Sequence, residues 1–239
     1  MRRNGARTLL MGGQACVFYG AAEFSRDLDL LILSDAANLV RLRAALADLE
    51  AQPIAVPALS ADLLDRGHAV HFRCRRPDVA GLRIDLMSHY RGGASFDDLW
   101  NRRTTIEADG EPIELLALED LVDAKKTQRD KDWPMIARLL ERSYLTRGES
   151  PSRALVEFWL RELRTPGLLL ELAGAQKDAA REVAPNRPAV AAAVAADSEG
   201  VATALAHEEA GERLSDREYW QPLKSELEQL RLRRRGEKV

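Results

Sequence analysis

The chain has 239 residues, 46% of them hydrophobic and 31% charged, with a formal net charge of −3. That is enough apolar material for one large domain or two small ones, and the near balance of charge excludes binding of nucleic acid or anionic membrane through overall charge, leaving only local patches for such a role. Arg2, Arg3 and Arg7 are followed by no apolar leader region, and no run approaches a bilayer crossing, so a cytoplasmic protein with no membrane partner is expected. Cys16 and Cys74 are far apart in apolar contexts and read as buried thiols.

Arg7 to Met11 is a short apolar run stopped by Gly12 and Gly13, and Gln14 to Ala22 carries Ala15, Phe18 and Tyr19 at helical spacing. A strand, a glycine turn and a short helix are expected. Asp27 to Leu33 is too short and too rich in Leu and Ile for a surface helix, and Ser34 and Asp35 follow it, so it reads as a central strand. The spacing of Leu39, Leu42, Leu46 and Leu49 predicts a helix over about residues 36–50, and Ser60 can cap another reaching Arg66.

The segments HAVHFRCR and LRIDLMS flank the turn RPDVAG and predict a hairpin, which puts Leu82, Ile84 and Leu86 on one face and Arg83, Asp85 and Met87 on the other. A smaller hairpin is expected around EADGEP, then helices over about residues 118–128 and 132–144. From about Gly148 the chain shows no strand signal, and a helical region is expected. Helix and disorder both suit the low-complexity stretch PAVAAAVAADSEGVATALA, and the basic end LRLRRRGEKV reads as frayed.

The chemistry rests on DLDLLI. Asp27 and Asp29 are two apart on a strand, so their side chains leave one face and sit near each other. Two close carboxylates repel unless a cation lies between them. Mg²⁺ or Mn²⁺ answers that need, taking one or two carboxylates and filling its shell from water and phosphate. Asp85 on a neighbouring strand would complete a site for two ions that clamp the attacking and leaving oxygens of a phosphoryl displacement. Gly12 and Gly13 would let the backbone approach a triphosphate at the turn into the following helix.

Taken together, MGG, thirteen residues, DLDLLI and the later LRIDLM resemble the nucleotidyltransferase superfamily with the DNA polymerase β-like fold. LEDLVDAKKTQRDKDW resembles a helix of the bacterial branch that includes the abortive-infection type IV toxin nucleotidyltransferases. The likeness spans roughly residues 5 to 145. It implies an α/β (α+β) nucleotidyltransferase core of mixed β-sheet with flanking helices over residues 1–145, and a helical C-terminal region over 146–239. It also implies transfer of a nucleoside monophosphate from an NTP to tRNA, a protein hydroxyl or a small molecule, in a toxin–antitoxin or phage-defence setting. Many members have Ser where this chain has Gly13, which implies a phosphate grip built on backbone.

In the matching helix, Leu118, Leu121, Val122 and Lys125 share a stripe, with Arg129 one turn on. Lys125 and Arg129 are therefore the expected phosphate contacts, Lys126 and Lys131 are expected in solvent, and Asp132 is expected to cap the next helix. No two of the four histidines have ligand spacing, so structural roles are expected for His68, His71, His89 and His207. Two other readings stand beside the enzyme: a catalytically silent module of the same fold that binds a nucleotide, a partner protein or a second copy of itself, and an antibiotic-modifying transferase. The intact Asp27, Asp29 and Asp85 favour chemistry over silence.

Overall fold

Glycine turns, short apolar strands and capped helices alternate through the first half of the chain, and in the computed structural model they close a mixed sheet. It describes residues 1–146, 148 and 150–236, without the side chains of 235 and 236. The chain forms two compact units, one of residues 1–18, 22–124 and the described residues from 218 on, the other of residues 19–21 and 125–217.

In the first unit the elements follow in order as β1 (Thr8–Met11), α1 (Gly12–Phe18), β2 (Asp27–Ile32), α2 (Ala36–Asp48), β3 (Gln52–Pro53) and α3 (Ala61–Asp65). They continue as β4 (Val70–Arg73), β5 (Arg83–Met87), α4 (Phe96–Asn101), β6 (Thr104–Ala108), β7 (Glu111–Leu115) and α5 (Leu118–Lys125). The seven strands are ordered β3-β4-β5-β2-β1-β7-β6. The β2–β5 and β1–β7 pairs are parallel and the others antiparallel. β2 is thus the middle strand, as its apolar run implies. Its second half, Leu30 to Ile32, is buried, while its first half, with both aspartates, is only partly covered. Each fully buried leucine or isoleucine there contributes roughly 1.5–3 kcal/mol.

Caps set the helix starts. The Asp35 carboxylate accepts from Asn38 N at 2.6 Å and the Ser60 hydroxyl from Leu63 N, meeting two of the donors that a helix start leaves unpaired. Buried Asn38 then ties two strand ends together. It accepts from Arg7 N at 2.7 Å and donates to Arg7 O and Leu33 O. The β4/β5 and β6/β7 hairpins stand where alternation predicts them, the second turning through Asp109 and Gly110, both with positive φ. Cys16 and Cys74 are buried and joined in no disulfide.

The last stretch of the first unit comes from the far end of the chain. His68, buried, places Nε2 2.8 Å from Glu226 Oε2, and Arg66 pairs with the same carboxylate. Gly67, between them at φ +97°, has Tyr219 and Leu223 against its Cα, where a Cβ would come within 3.3 Å of both.

The second unit is helical: α6 (Asp132–Leu145), α7 (Arg153–Glu162), α8 (Pro166–Ala175), α9 (Lys177–Val183), α10 (Pro188–Val194) and the part of α11 (Ser198–Gly236) before residue 218. Pro166 and Pro188 open their helices, where a missing N–H is harmless. The low-complexity stretch is helical in α10 and α11, because its small residues are buried at Ala189, Val190, Ala193 and Val201. Arg187 is buried with its guanidinium engaged: it donates to Leu160 O and Leu163 O, carbonyls at the end of α7, and pairs with Glu208 at 2.9 Å. Tyr144 and Trp159 meet edge to face at 5.2 Å.

Two expectations are corrected here. The helix expected to reach Gln128 ends at Lys125, so Arg129 lies in the turn before α6 rather than one helical turn on. Lys126, expected in solvent, is mostly buried and donates to Glu162 at 2.9 Å, since beyond the helix end its direction no longer follows the helical wheel. The frayed end falls partly on residues 237–239, outside the described residues. Among the described residues no helix is long and apolar enough to cross a membrane.

Candidate functional site

β2 and β5 run parallel with Asp29 opposite Asp85 and Asp27 opposite Arg83. Residues at matched positions on adjacent strands share a face, so the register places Asp27, Asp29 and Asp85 on one face at the centre of the sheet. β1 is on the other side of β2, with Met11 opposite Asp29, and the chain turns into α1 straight after Met11. This brings the two glycines to the carboxylates.

Gly12 has φ +68°, and a Cβ there would lie well inside contact with Asp29 Oδ2 and 2.6 Å from Asp29 Cβ. The position needs glycine twice over, for its backbone angle and for the carboxylate resting on its Cα. Gly13 is close to Ser25, whose Cβ would be 2.9 Å from an added methyl. Gln14 Nε2 holds that loop by donating to Ser25 O at 2.7 Å.

Asp85 is held by two neighbours. Its Oδ1 accepts from Arg83 Nε at 2.8 Å and lies 2.8 Å from His71 Nδ1. Against an ionised carboxylate it is Nδ1 that carries the proton, so the 3.2 Å approach of Arg83 Nη2 to Nδ1 is a close contact rather than a second bond. Burial pushes the Asp85 pKa up, but the bonds from His71 and Arg83 outweigh it and hold the carboxyl below the ordinary 3.8. Arg83 in turn is held above the usual arginine value, first by its bond to Asp85 and then by the fields of Asp85, Asp27 and Asp29.

In the second unit, Lys125 and Arg129 converge on Asp132. Lys125 Nζ lies 3.3 Å from Asp132 Oδ1, and Arg129 Nε donates to Oδ2 at 2.6 Å, with the Thr127 hydroxyl on the same oxygen. Asp132 begins α6 but its side chain caps no backbone N–H; it is spent on these cations, and the N-cap is Lys131. Burial acts to raise its pKa, yet Lys125, Thr127 and Arg129 hold it below the ordinary value.

Two participants escaped sequence reasoning. Histidine spacing points to a structural role for His71, and alternation puts Arg83 on the polar face of its strand without giving it a role. The signal was present in the hairpin register: once β4 and β5 pair about the RPDVAG turn, His71 stands opposite Asp85.

The donor chemistry of Asp27 and Asp29, hard oxygens two apart on one strand face, fits a divalent ion such as Mg²⁺. The three-carboxylate set does not fit a pair of ions. Asp85 Oδ1 is taken by Arg83 and His71, and among the described residues no three His, Cys, Asp or Glu side chains come together as a group that could hold a metal.

No protein-family model matches the sequence, and no curated protein does. Among solved structures, the chain is similar to an antigenic nucleotidyltransferase-like protein from Paracoccidioides brasiliensis, at 17% identity and a TM-score of 0.38, over 78% of this chain and 83% of that one. At that score the likeness carries no weight for function.

Proposed function

We propose that the chain is a metal-dependent nucleotidyltransferase that moves a nucleoside monophosphate from an NTP to an acceptor hydroxyl. The observation that carries the reading is the β2–β5 register, which sets Asp27, Asp29 and Asp85 on one sheet face beside a glycine turn that admits the Asp29 carboxylate. Asp27 and Asp29 would hold one Mg²⁺, and that ion when bound would offset the charge of the triphosphate. Gly12 and Gly13 would serve the phosphates indirectly, by letting the Asp29 carboxylate and Ser25 rest against the backbone where α1 begins. Asp85, ionised and held by Arg83 and His71, accepts the hydrogen bond of the acceptor hydroxyl and orients it for attack. Lys125 and Arg129, expected on the phosphates, belong to the second unit and are paired there with Asp132.

A second reading, a catalytically silent nucleotide- or partner-binding module, is favoured by one feature: the cations and acids named for chemistry already neutralise one another, Asp85 with Arg83 and Lys125 and Arg129 with Asp132. The test is incubation with each α-³²P-labelled NTP, Mg²⁺ and a pool of tRNA and cell lysate, beside an Asp27→Ala/Asp29→Ala variant. Label moved to a discrete acceptor only by the intact protein establishes the transferase and the acceptor class. No transfer, with no Mg²⁺-dependent NTP binding by calorimetry, sinks it and leaves the partner-binding module.

A further inference from the structure

Three carboxylates on one sheet face demand a cation, and the chain carries one of its own. Arg83 stands two residues before Asp85 on the same face of β5, opposite Asp27, and donates Nε to Asp85 Oδ1 at 2.8 Å. The fields of all three carboxylates act on its guanidinium. His71 closes the other approach to the same oxygen. Arginine keeps its charge across the working pH range, so this neutralisation is permanent.

We propose that Arg83 is the resident counter-cation of the carboxylate cluster: with its guanidinium in place on Asp85, the site takes a single divalent ion, on Asp27 and Asp29, and a second ion is excluded. This deepens the nucleotidyl-transfer reading and rests on it for the purpose of the ion, but not for the count. A second divalent ion at Asp85 would compete with two hydrogen bonds and face a like charge at hydrogen-bond range. Arg83 is a positioning residue here, acting on Asp85 and on the number of ions, and its partial exposure of 37% lets it be changed without opening a cavity.

The test counts ions rather than turnover. Full-length protein is titrated with Mn²⁺ and the free ion followed by electron paramagnetic resonance, for the wild type, Arg83→Met, Arg83→Lys and Asp27→Asn. The expected result is one ion in the wild type, its loss in Asp27→Asn, and in Arg83→Met a second ion or binding tightened about tenfold or more, the effect of removing a neighbouring like charge. Arg83→Lys keeps a charge while giving up the planar fork, and is expected to stay at one ion; should Arg83→Met fail to fold, Arg83→Gln removes the charge in its place. Equal count and affinity in the wild type and Arg83→Met, or two ions in the wild type, overturns the inference alone and leaves a metal-dependent transferase standing. Absence of Mn²⁺ binding in all four proteins overturns the inference and the metal-dependent reading together.

Discussion

Gly12→Ala isolates the contact on which the site is built. The residue has φ +68°, a conformation that costs an L-residue roughly 1–2 kcal/mol. The new methyl would also fall onto the Asp29 carboxylate, with Asp29 Cβ at 2.6 Å and held in register between β1 and β5, so the sheet must yield. Overpacking of that kind costs about 1–3 kcal/mol. Alanine stiffens the unfolded chain and returns about 0.4–1 kcal/mol. The net expectation is a loss of roughly 1–4.5 kcal/mol, read as a lowered urea midpoint with an unchanged slope. Repeating the substitution in an Asp29→Gly background separates the two causes. There the whole Asp29 side chain, Cβ included, is gone, the steric part vanishes, and roughly 1 kcal/mol from the backbone angle is left. A loss of the same size in both backgrounds would refute the close contact.

Asp85→Asn is expected to lower stability near neutral pH, because the bonds to Arg83 and His71 favour the ionised carboxyl. Since the folded pKa lies below the ordinary 3.8, that contribution is full above this value and fades as pH falls through it, so the stability gap between wild type and variant should close in acid. A gap that holds constant from neutral pH to about pH 3 would contradict the assignment. Asp132→Ala leaves Lys125, whose side chain is only 9% exposed, without the carboxylate it faces, and a loss of about 3–5 kcal/mol in urea unfolding is expected for a buried cation so stranded. A change under about 1 kcal/mol would mean that Lys125 escapes to water when its partner is removed.

The core strands were legible because two local signals agree in them: apolar runs of the right length, and turn or cap residues at their ends, as with Leu30 to Ile32 closed by Ser34 and Asp35. Asp27 and Asp29 could be placed on one face from strand period alone, and Asp85 joins them through the β2–β5 register. What escaped depends on pairing and on helix ends. His71 reaches Asp85 only through the register between β4 and β5, which no single segment encodes. The end of α5 at Lys125 has no glycine or proline to mark it; the Asp132 side chain holds Lys125, Thr127 and Arg129 from the turn that follows, and so Lys126 leaves the expected face and meets Glu162.

The pairing of His68 and Arg66 with Glu226 bears on how the protein is made. Those partners are separated by 158 and 160 residues in the chain, yet all three belong to the sheet-bearing unit. A ribosome must therefore translate every helix of the second unit before the first can complete its own surface. Until then an imidazole meant for the interior waits without its carboxylate. A fragment ending at residue 124 would contain all seven strands and still lack a piece of the unit they define, so premature termination anywhere before α11 yields an unfinished sheet domain rather than a smaller finished one.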